Sequence, residues 1–327
     1  MQKQKEIPKI CLINVYIGKL PNYFQLWLDS CRYNPSIDFL LFTDDKTKYD
    51  YPENVKVKYI SFQEIKTYIQ NKFDFAISLD APYKFCDYKP AYGYIFSDYL
   101  KQYDFWGHCD IDLIFGNIRK FLNEIDLNNY DKIFKCGHFT LYKNNEKMIN
   151  SFKEMIVDGK PMYLNVYSTK DSFFFDEWGK NHDGLLNYWI NNDKYRVYTD
   201  DSCIADVSTK YNNLVLTKFK KRHIFQWNID RKNNCHLAGL YLQNGGVHKK
   251  EYMYVHFQKR SMSCDYRYAN DCSEFIMIPN SILFNKKIGK KADFKKYIYH
   301  ITIYNKKYIK SKIEKIIERK IKRKWAN

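Results

Sequence analysis

The feature that most constrains the fold is the alternation of apolar runs with helical segments near the start of the chain. Residues 9–16 (KICLINVY) and 37–43 (IDFLLFT) are rich in branched and aromatic side chains, which is typical of strands buried on both faces. Residues 21–34 lie between them and have apolar side chains at helical spacing. A third strand at 55–60 and a helix at 62–73 follow. This alternation predicts an α/β fold with a doubly wound, mostly parallel, Rossmann-like sheet.

Polar residues stand at the carboxyl ends of the first two predicted strands. Tyr16 ends the first strand, and Asp44 and Asp45 follow the second. Ligands of doubly wound sheets bind in the crevice outside the carboxyl ends of the strands. We therefore expect Tyr16, Asp44 and Asp45 to help bind a nucleotide.

The alternation continues along the chain and then weakens. Further helices are predicted at 90–103 and 118–124, and further strands at 104–108, 132–136 and 252–257. Between about 165 and 250 the pattern breaks into short strands and aromatic loops. The sequence contains no internal repeat and no linker rich in Pro, Gly or Ser. We expect one α/β domain over residues 1–285 and a basic helical tail over 286–327.

Cysteine spacing and hydropathy narrow the class of protein. The nine cysteines include no C-x-x-C pair, which disfavours a disulfide scaffold or a zinc cluster. No apolar run approaches the ~20 residues that span a bilayer. We expect a cytoplasmic protein whose membrane contacts are peripheral.

Two carboxylates follow the predicted strand at 104–108. In an extended strand end Asp110 and Asp112 project to one face, roughly 6–7 Å apart. Acids placed behind a buried strand are costly unless a cation lies against them, and a hard divalent ion is the usual partner. A D-x-D triplet by itself is more often a pair of exposed loop acids. The apolar strand before Asp110 favours a metal site here.

Three sequence blocks carry a family resemblance. They are KFCDYKPAYGYIF (84–96), DFWGHCDIDLIFGNI (104–118) and KCGHFTLYKNN (135–145). In this order they resemble bacterial GT-A glycosyltransferases of surface-polysaccharide biosynthesis, which are similar in layout to the glycogenin and lipopolysaccharide-galactosyltransferase group. The resemblance covers roughly residues 8–260.

The resemblance implies a metal centre. Asp110 and Asp112 would hold Mn²⁺ or Mg²⁺ against the donor diphosphate, and His256 would be the third protein ligand. Lys259 and Arg260 would neutralise the diphosphate as its charge develops. The segment YVHFQKR departs from the H-x-x-G-x-x-K-P-W form of that group, which weakens the assignment of Lys259. Considered without the family, a strand histidine is more often structural.

The first and third blocks also imply donor contacts. Lys89 would reach the phosphate or sugar of the donor while paired with Asp87, although Asp87-Tyr88-Lys89-Pro90 also fits a helix entry. Gly137 and His138 would line the sugar pocket.

An acidic pair follows the aromatic run STKDSFFF. Asp176 or Glu177 is expected to act as the base of an inverting reaction or as a sugar ligand of a retaining one. His182 and Asp183 lie just downstream and fit the same sugar pocket. The alternative is a polar loop over buried aromatic rings.

The resemblance therefore implies a hexosyltransferase that uses a UDP-sugar, with UDP-galactose as the default, and an oligosaccharide or lipid-linked saccharide acceptor. A metal-dependent nucleotidyltransferase is the first alternative, but it needs a Gly-rich phosphate loop that INVYIGKLPNY does not supply. A glycosidase would use two carboxylates without a metal. A non-catalytic basic module that binds membrane or RNA is a further alternative.

The basic charge is concentrated in the tail. Residues 286–327 carry 16 Lys and Arg against three acidic residues, a net +13 of the chain's +17. An apolar stripe at helical spacing runs along it: Ile309, Ile313, Ile316, Ile317, Ile321 and, near its end, Trp325. Basic amphipathic helices lie on anionic membranes, so we expect attachment to the inner face of the cell membrane. A helix docked on the body is the alternative. No nucleic-acid-binding motif accompanies the charge, and we expect no nucleic-acid partner.

Overall fold

A computed structural model describes residues 7–179, 184–265, 273–301 and 303–325. In chain order the strands are β1 (Ile10–Tyr16), β2 (Ile37–Thr43), β3 (Val55–Tyr59), β4 (Phe105–Cys109), β5 (Leu113–Phe115), β6 (Lys132–Ile133), β7 (Phe139–Lys143), β8 (Ile156–Val157), β9 (Lys160–Pro161), β10 (Val197–Tyr198), β11 (Ile204–Asp206), β12 (Leu214–Val215), β13 (Arg222–Ile229), β14 (Cys235–Gln243), β15 (Gly246–Glu251), β16 (Tyr254–His256), β17 (Ser263–Cys264), β18 (Glu274–Ile278) and β19 (Ser281–Phe284).

The α-helices are α1 (Phe24–Arg32), α2 (Phe62–Gln70), α3 (Phe85–Tyr88), α4 (Tyr92–Ile95), α5 (Ser97–Leu100), α6 (Ile118–Leu122), α7 (Glu146–Asn150), α8 (Met162–Ser168), α9 (Leu185–Ile190), α10 (Lys291–Lys296) and α11 (Lys306–Trp325).

The chain forms two compact units. Unit 1 contains Met1–Ile111 and Arg119–Asp201, and unit 2 contains Asp112–Ile118 and Ser202–Asn327. These divisions do not coincide with the boundary expected at residue 285, and the independence of the tail stays a prediction.

Unit 1 is built on a seven-stranded sheet. Its strand order is β10-β6-β7-β4-β1-β2-β3. β1 pairs in parallel with β2 and β4, and β2 pairs in parallel with β3, whereas β7 runs antiparallel to β4 and β6. The strands β1, β2 and β4 are almost entirely buried, as their apolar runs predicted. The expected α/β class with a parallel-rich sheet is therefore confirmed.

One long helix expected in unit 1 is divided. Residues 90–103 contain α4 and α5 as separate short helices, because Phe96 between them has φ −103° and ψ 22° and leaves the helical region. Gly93 in α4 lies against the indole of Trp106, and a Cβ at this position would meet that ring at 2.4 Å. The close approach of backbone to ring requires glycine here.

Unit 2 contains two further sheets. The small one has the order β11-β16-β5, and the large one has the order β15-β14-β13-β18-β19-β17, with β12 beside β13. The large sheet is mostly antiparallel, and sequence periodicity did not predict it. Its β14–β15 hairpin turns through Asn244 and Gly245, both at positive φ (48° and 78°), as a type I′ turn requires.

The two helices of the tail, α10 and α11, differ in how far their apolar side chains are buried. Phe294 of α10 is 1% exposed and packs with Ile224, Leu240 and Ile276 of the large sheet. Further along the tail, Tyr304 forms an antiparallel bridge with Tyr211, also in unit 2, before α11 begins. On α11, Ile309, Ile313, Ile316 and Ile317 are 44–53% exposed. The side chains of Ile321 and Trp325 lie outside the described residues. Within the described part of the chain, no helix combines the length and apolarity needed to span a bilayer.

Candidate active site

Lys89 is the centre of a buried polar cluster in unit 1. Its ammonium lies 2.9 Å from Asp110 and 3.8 Å from Asp176, and it donates to the carbonyl of Gly137 at 2.7 Å. Burial by itself would lower the pKa of Lys89, but Asp110 and Asp176 raise it well above its usual value. Lys89 is therefore a cation held among carboxylates. It pairs with Asp110, so the expected pairing with Asp87 is wrong.

The acidic pair Asp176 and Glu177 lies against Gly137. Glu177 accepts a hydrogen bond from the backbone N–H of Gly137 at 2.9 Å. A Cβ at position 137 would lie 2.5 Å from an Asp176 oxygen and 2.6 Å from a Glu177 oxygen, so any other residue here would displace these two carboxylates. Burial raises the pKa of Asp176 to about 7, with Glu177 and Asp110 adding to the shift and Lys89 opposing it. A carboxyl group poised near neutrality is suited to proton transfer.

A buried ion pair holds the segment that carries this acidic pair. Lys84 and Asp87 lie 2.9 Å apart, 4% and 0% exposed. Asp87 accepts the backbone N–H groups of Phe173 and Phe175, and Lys84 donates to the carbonyls of Val166 and Asp171. The pair fixes the backbone just before Asp176. Nothing local in the sequence indicated this role for Lys84.

Asp112 and His256 form a second cluster, in unit 2. β16 runs antiparallel to β5 with His256 opposite Leu113, which brings the imidazole beside the residue preceding Leu113. The Nε2 atom of His256 is 3.5 Å from an Asp112 oxygen, and both side chains are at least 90% buried. After β16, Gln258 and Lys259 have φ of 49° and 58°. This turn directs the backbone N–H of Lys259 to the other Asp112 oxygen.

The donor set of this cluster fits a divalent metal. A separation of 3.5 Å between Nε2 and the carboxylate oxygen is longer than a good hydrogen bond. It matches the roughly 3–3.5 Å between neighbouring ligands of one ion at about 2.1 Å from each. Imidazole and carboxylate together suit Mn²⁺ and related ions. Asp110 is separated from Asp112 only by Ile111, so the chain keeps their Cα atoms within about 7 Å.

Arg260 lies buried among backbone carbonyls of unit 2. Its guanidinium is 6% exposed and donates to the carbonyls of Asn212, Ser208 and Tyr211 and to the Asn280 side chain. A buried guanidinium needs such acceptors, and they engage both of its terminal nitrogens. Arg260 therefore stabilises a loop of unit 2, and its expected diphosphate role stays a prediction. Lys259 is exposed.

The residues at the ends of β1 and β2 organise their own loop. Asp44 accepts the N–H of Gly18 at 2.7 Å, and Asp45 accepts that of Leu20 at 2.9 Å. Tyr16 donates to the carbonyl of Lys19 at 3.3 Å. These contacts fix the residue 18–20 loop, and nucleotide binding by Tyr16, Asp44 and Asp45 stays a prediction. His138 is buried, and its carbonyl accepts the N–H of Asp110 at 2.9 Å. His182 and Asp183 lie outside the described residues.

One residue that sequence reasoning missed is Asp206. It ends β11 opposite His256 of β16 and contacts the imidazole Nδ1 at 2.9 Å. The two residues are 50 positions apart, and β11 is only three residues long. No local pattern distinguishes Asp206 from other acids of the chain.

Fold and site together define an α/β protein with a buried lysine–carboxylate cluster and a carboxylate–histidine candidate metal centre. The chain belongs to the family DUF6625, a family of unknown function, whose model matches residues 12–286. No curated protein matches the chain. Among solved structures the chain is similar to that of the galactosyltransferase LgtC in complex with donor and acceptor sugar analogues. The identity is 9%, the match covers 60% of this chain and 75% of that chain, and the TM-score is 0.34.

Proposed function

We propose that the chain is a metal-dependent glycosyltransferase that transfers a hexose from a UDP-sugar to a saccharide acceptor. The observation that carries the proposal is the buried pair of Asp112 and His256, with Nε2 and carboxylate oxygen 3.5 Å apart, directly after the chain leaves β4 through Asp110. Strand ends of parallel sheets are where such folds bind nucleotides. The block DFWGHCDIDLIFGNI supports the same reading by family resemblance.

Each residue has a definite part in this proposal. Asp110, Asp112 and His256 hold Mn²⁺ or Mg²⁺, which when bound supplies positive charge against the departing diphosphate. Lys259, exposed beside this set, binds the diphosphate. Lys89 orients Asp110, which lies 2.9 Å from its ammonium, and reaches the phosphate or sugar of the donor. Gly137 and His138 line the sugar pocket.

Asp176 and Glu177 face the sugar or the acceptor in the proposed enzyme. Asp176 has the raised pKa that a base needs in order to take a proton from an acceptor hydroxyl. Glu177 is held by the Gly137 N–H and stays in place to bind a sugar hydroxyl. UDP-galactose is the default donor, and a growing capsule or lipopolysaccharide oligosaccharide is the proposed acceptor, both from the family resemblance.

A panel of nucleotide sugars tests the function. The protein is incubated with each sugar and with saccharide acceptors, with Mn²⁺, with Mg²⁺ or with EDTA, and free UDP is measured. We expect UDP release with one UDP-sugar that requires the metal and increases with acceptor. In a parallel incubation with a sugar 1-phosphate and UTP, release of pyrophosphate would instead identify a nucleotidyltransferase. Equal release in EDTA contradicts the metal centre.

We also propose that the enzyme works at the inner face of the cell membrane. α11 carries exposed isoleucines, and the tail that contains it concentrates the positive charge of the chain. An anionic lipid surface complements both features. A lipid-linked saccharide acceptor would be found at that surface.

A further inference from the structure

The histidine of the candidate metal centre has a second carboxylate partner. Asp206 and His256 are register partners on the parallel strands β11 and β16. The Nδ1 atom of His256 lies 2.9 Å from the Asp206 Oδ1. The opposite ring nitrogen, Nε2, faces Asp112. One imidazole therefore stands between two carboxylates, all three within unit 2.

Asp206 is itself held in place by further donors. Gln258 donates to its Oδ1 at 2.7 Å, and the hydroxyl of Thr217 donates to its Oδ2 at 3.0 Å. The carboxylate therefore has little freedom to rotate away from the imidazole.

In the neutral imidazole, the contact with Asp206 decides which nitrogen carries the proton. An ionised carboxylate only accepts hydrogen bonds, so the Nδ1 that contacts Asp206 must be the donor. A neutral imidazole has one N–H, and Nε2 is then left with its lone pair directed toward Asp112. Two acceptors facing each other at 3.5 Å repel unless a cation lies between them.

We propose that Asp206 is a positioning residue that holds His256 in the Nδ1-protonated tautomer, so that Nε2 is presented as a metal ligand beside Asp112. This inference rests on the proposed metal centre. Carboxylates that accept the distal N–H of a ligating histidine fix its orientation and raise its basicity. Asp206 acts through His256 and needs no contact with metal or sugar.

The tautomer is measured without metal or turnover. Long-range ¹H–¹⁵N correlation spectra are recorded on metal-free protein labelled at its eight histidines, in the neutral form, with His256 assigned from His256→Gln. We expect Nδ1 protonation in the wild type and a shift toward Nε2 protonation in Asp206→Ala. An Nε2-protonated His256 in the wild type, or an unchanged tautomer in Asp206→Ala, overturns the inference.

Binding of Mn²⁺ supplies the second readout. Free Mn²⁺ is titrated by EPR in the absence of sugar nucleotide. We expect Asp206→Ala to weaken binding by about 10- to 100-fold. Asp206→Asn keeps the shape and an acceptor oxygen but removes the charge. It should therefore weaken Mn²⁺ binding less than Asp206→Ala does. This variant also tests the inference if Asp206→Ala does not fold.

A matched control lies in the same unit. His236 contacts Glu251 through Nδ1 and Asp230 through Nε2, each at 3.1 Å. Glu251→Ala removes the same kind of contact from a histidine outside the proposed metal set. It should leave the affinity for Mn²⁺ and the tautomer of His256 unchanged.

Two reference variants separate this inference from the proposed function. If Asp112→Ala and His256→Ala bind Mn²⁺ as the wild type does, the metal centre is wrong and Asp206 has nothing to position. If both lose Mn²⁺ while Asp206→Ala retains wild-type affinity, only the role of Asp206 is overturned.

Discussion

Asp112 is the residue on which the proposed chemistry depends most. It is 5% exposed, faces His256 and accepts the backbone N–H of Lys259. Alanine would leave that N–H without its acceptor, so asparagine is the better substitution. The pair Asp110 and Asp112 was predicted from the sequence pattern itself. Its further ligand, His256, was predicted only from the family resemblance.

We expect Asp112→Asn to lower the transfer rate by on the order of a hundredfold or more, because it removes a charged metal ligand. Steady-state UDP release with saturating donor measures the effect. Asp230→Asn is the matched control, since Asp230 also accepts backbone N–H groups in unit 2. Wild-type turnover of Asp112→Asn contradicts the metal centre.

The pH dependence of stability tests the environment of Asp176. Burial raises its pKa to about 7, so between pH ~4 and ~7 the folded protein binds a proton that the unfolded chain has lost. The wild type therefore loses unfolding free energy as pH rises through this range. The Asp176→Asn side chain stays neutral. Between pH 5 and pH 8 this variant should therefore lose about 1–3 kcal/mol less unfolding free energy than the wild type.

Urea denaturation of both proteins at the two pH values measures this difference. Groups common to both proteins cancel in the comparison. If the two proteins change stability in parallel, Asp176 is ionised throughout the range and is not poised near neutrality.

At the scale of elements, the segment before Asp176 depends on α3. Asp87 of α3 is fully buried and holds both Lys84 and the backbone at Phe173 and Phe175. Helix propensity favours a short acid-containing turn here, but it does not indicate that this turn anchors a segment 86 residues later.

We expect Asp87→Ala to destabilise the fold by about 3–5 kcal/mol, because it leaves the Lys84 ammonium buried without its counterion. Thermal or urea unfolding measures the cost. Asp80→Ala is the control, since Asp80 pairs with Lys66 at the surface at 3.2 Å, and such pairs are worth about 1 kcal/mol or less. Equal costs for the two variants would show that the buried pair has no special role.

Elements differed in how well the sequence predicted them. β2 was predicted to the residue and β1 to within one residue, because strands buried on both faces are continuous apolar runs. β3 was also predicted to within one residue, although only Val55 in it is buried. The large antiparallel sheet of unit 2 was missed, although Asn244-Gly245 is a strong hairpin signal. Its strands mix buried and half-exposed side chains without strict alternation, so the periodicity along the chain was weak.

At the scale of the whole molecule, the tail divides at Asn305. Phe294 is part of a core cluster, and the backbone of Asn212 pairs with that of Ile303. The segment after Asn305 is α11. A truncation meant to remove only the membrane-binding segment must therefore keep everything up to Asn305.

We expect truncation after Asn305 to abolish binding to anionic vesicles and to preserve transfer to a short soluble acceptor, because every proposed site residue precedes residue 261. At about 1 kcal/mol per basic residue near an anionic surface, α11 has enough charge for useful affinity. Cosedimentation with phosphatidylglycerol and phosphatidylcholine vesicles measures this. Full-length protein with Ile309, Ile313, Ile316 and Ile317 changed to serine should bind more weakly and with greater sensitivity to salt.

Truncation after Lys287 is the matched control. It also removes Phe294, and loss of a buried phenylalanine costs about 3–5 kcal/mol, so this protein should unfold at lower urea. If the protein ending at Asn305 still sediments with phosphatidylglycerol vesicles, attachment does not depend on α11.

The sequence by itself determined the α/β class, the buried strands of unit 1, the D-x-D carboxylates and the concentration of charge in the tail. Each of these is local, since it depends on residues a few positions apart. The tertiary structure decided which side chains meet. Lys89 pairs with Asp110 rather than Asp87, Arg260 binds carbonyls, and Asp206 contacts His256. These partners lie 21 to 52 residues apart along the chain. Only the folded arrangement of strands, helices and loops brings them together, and no local sequence pattern records it.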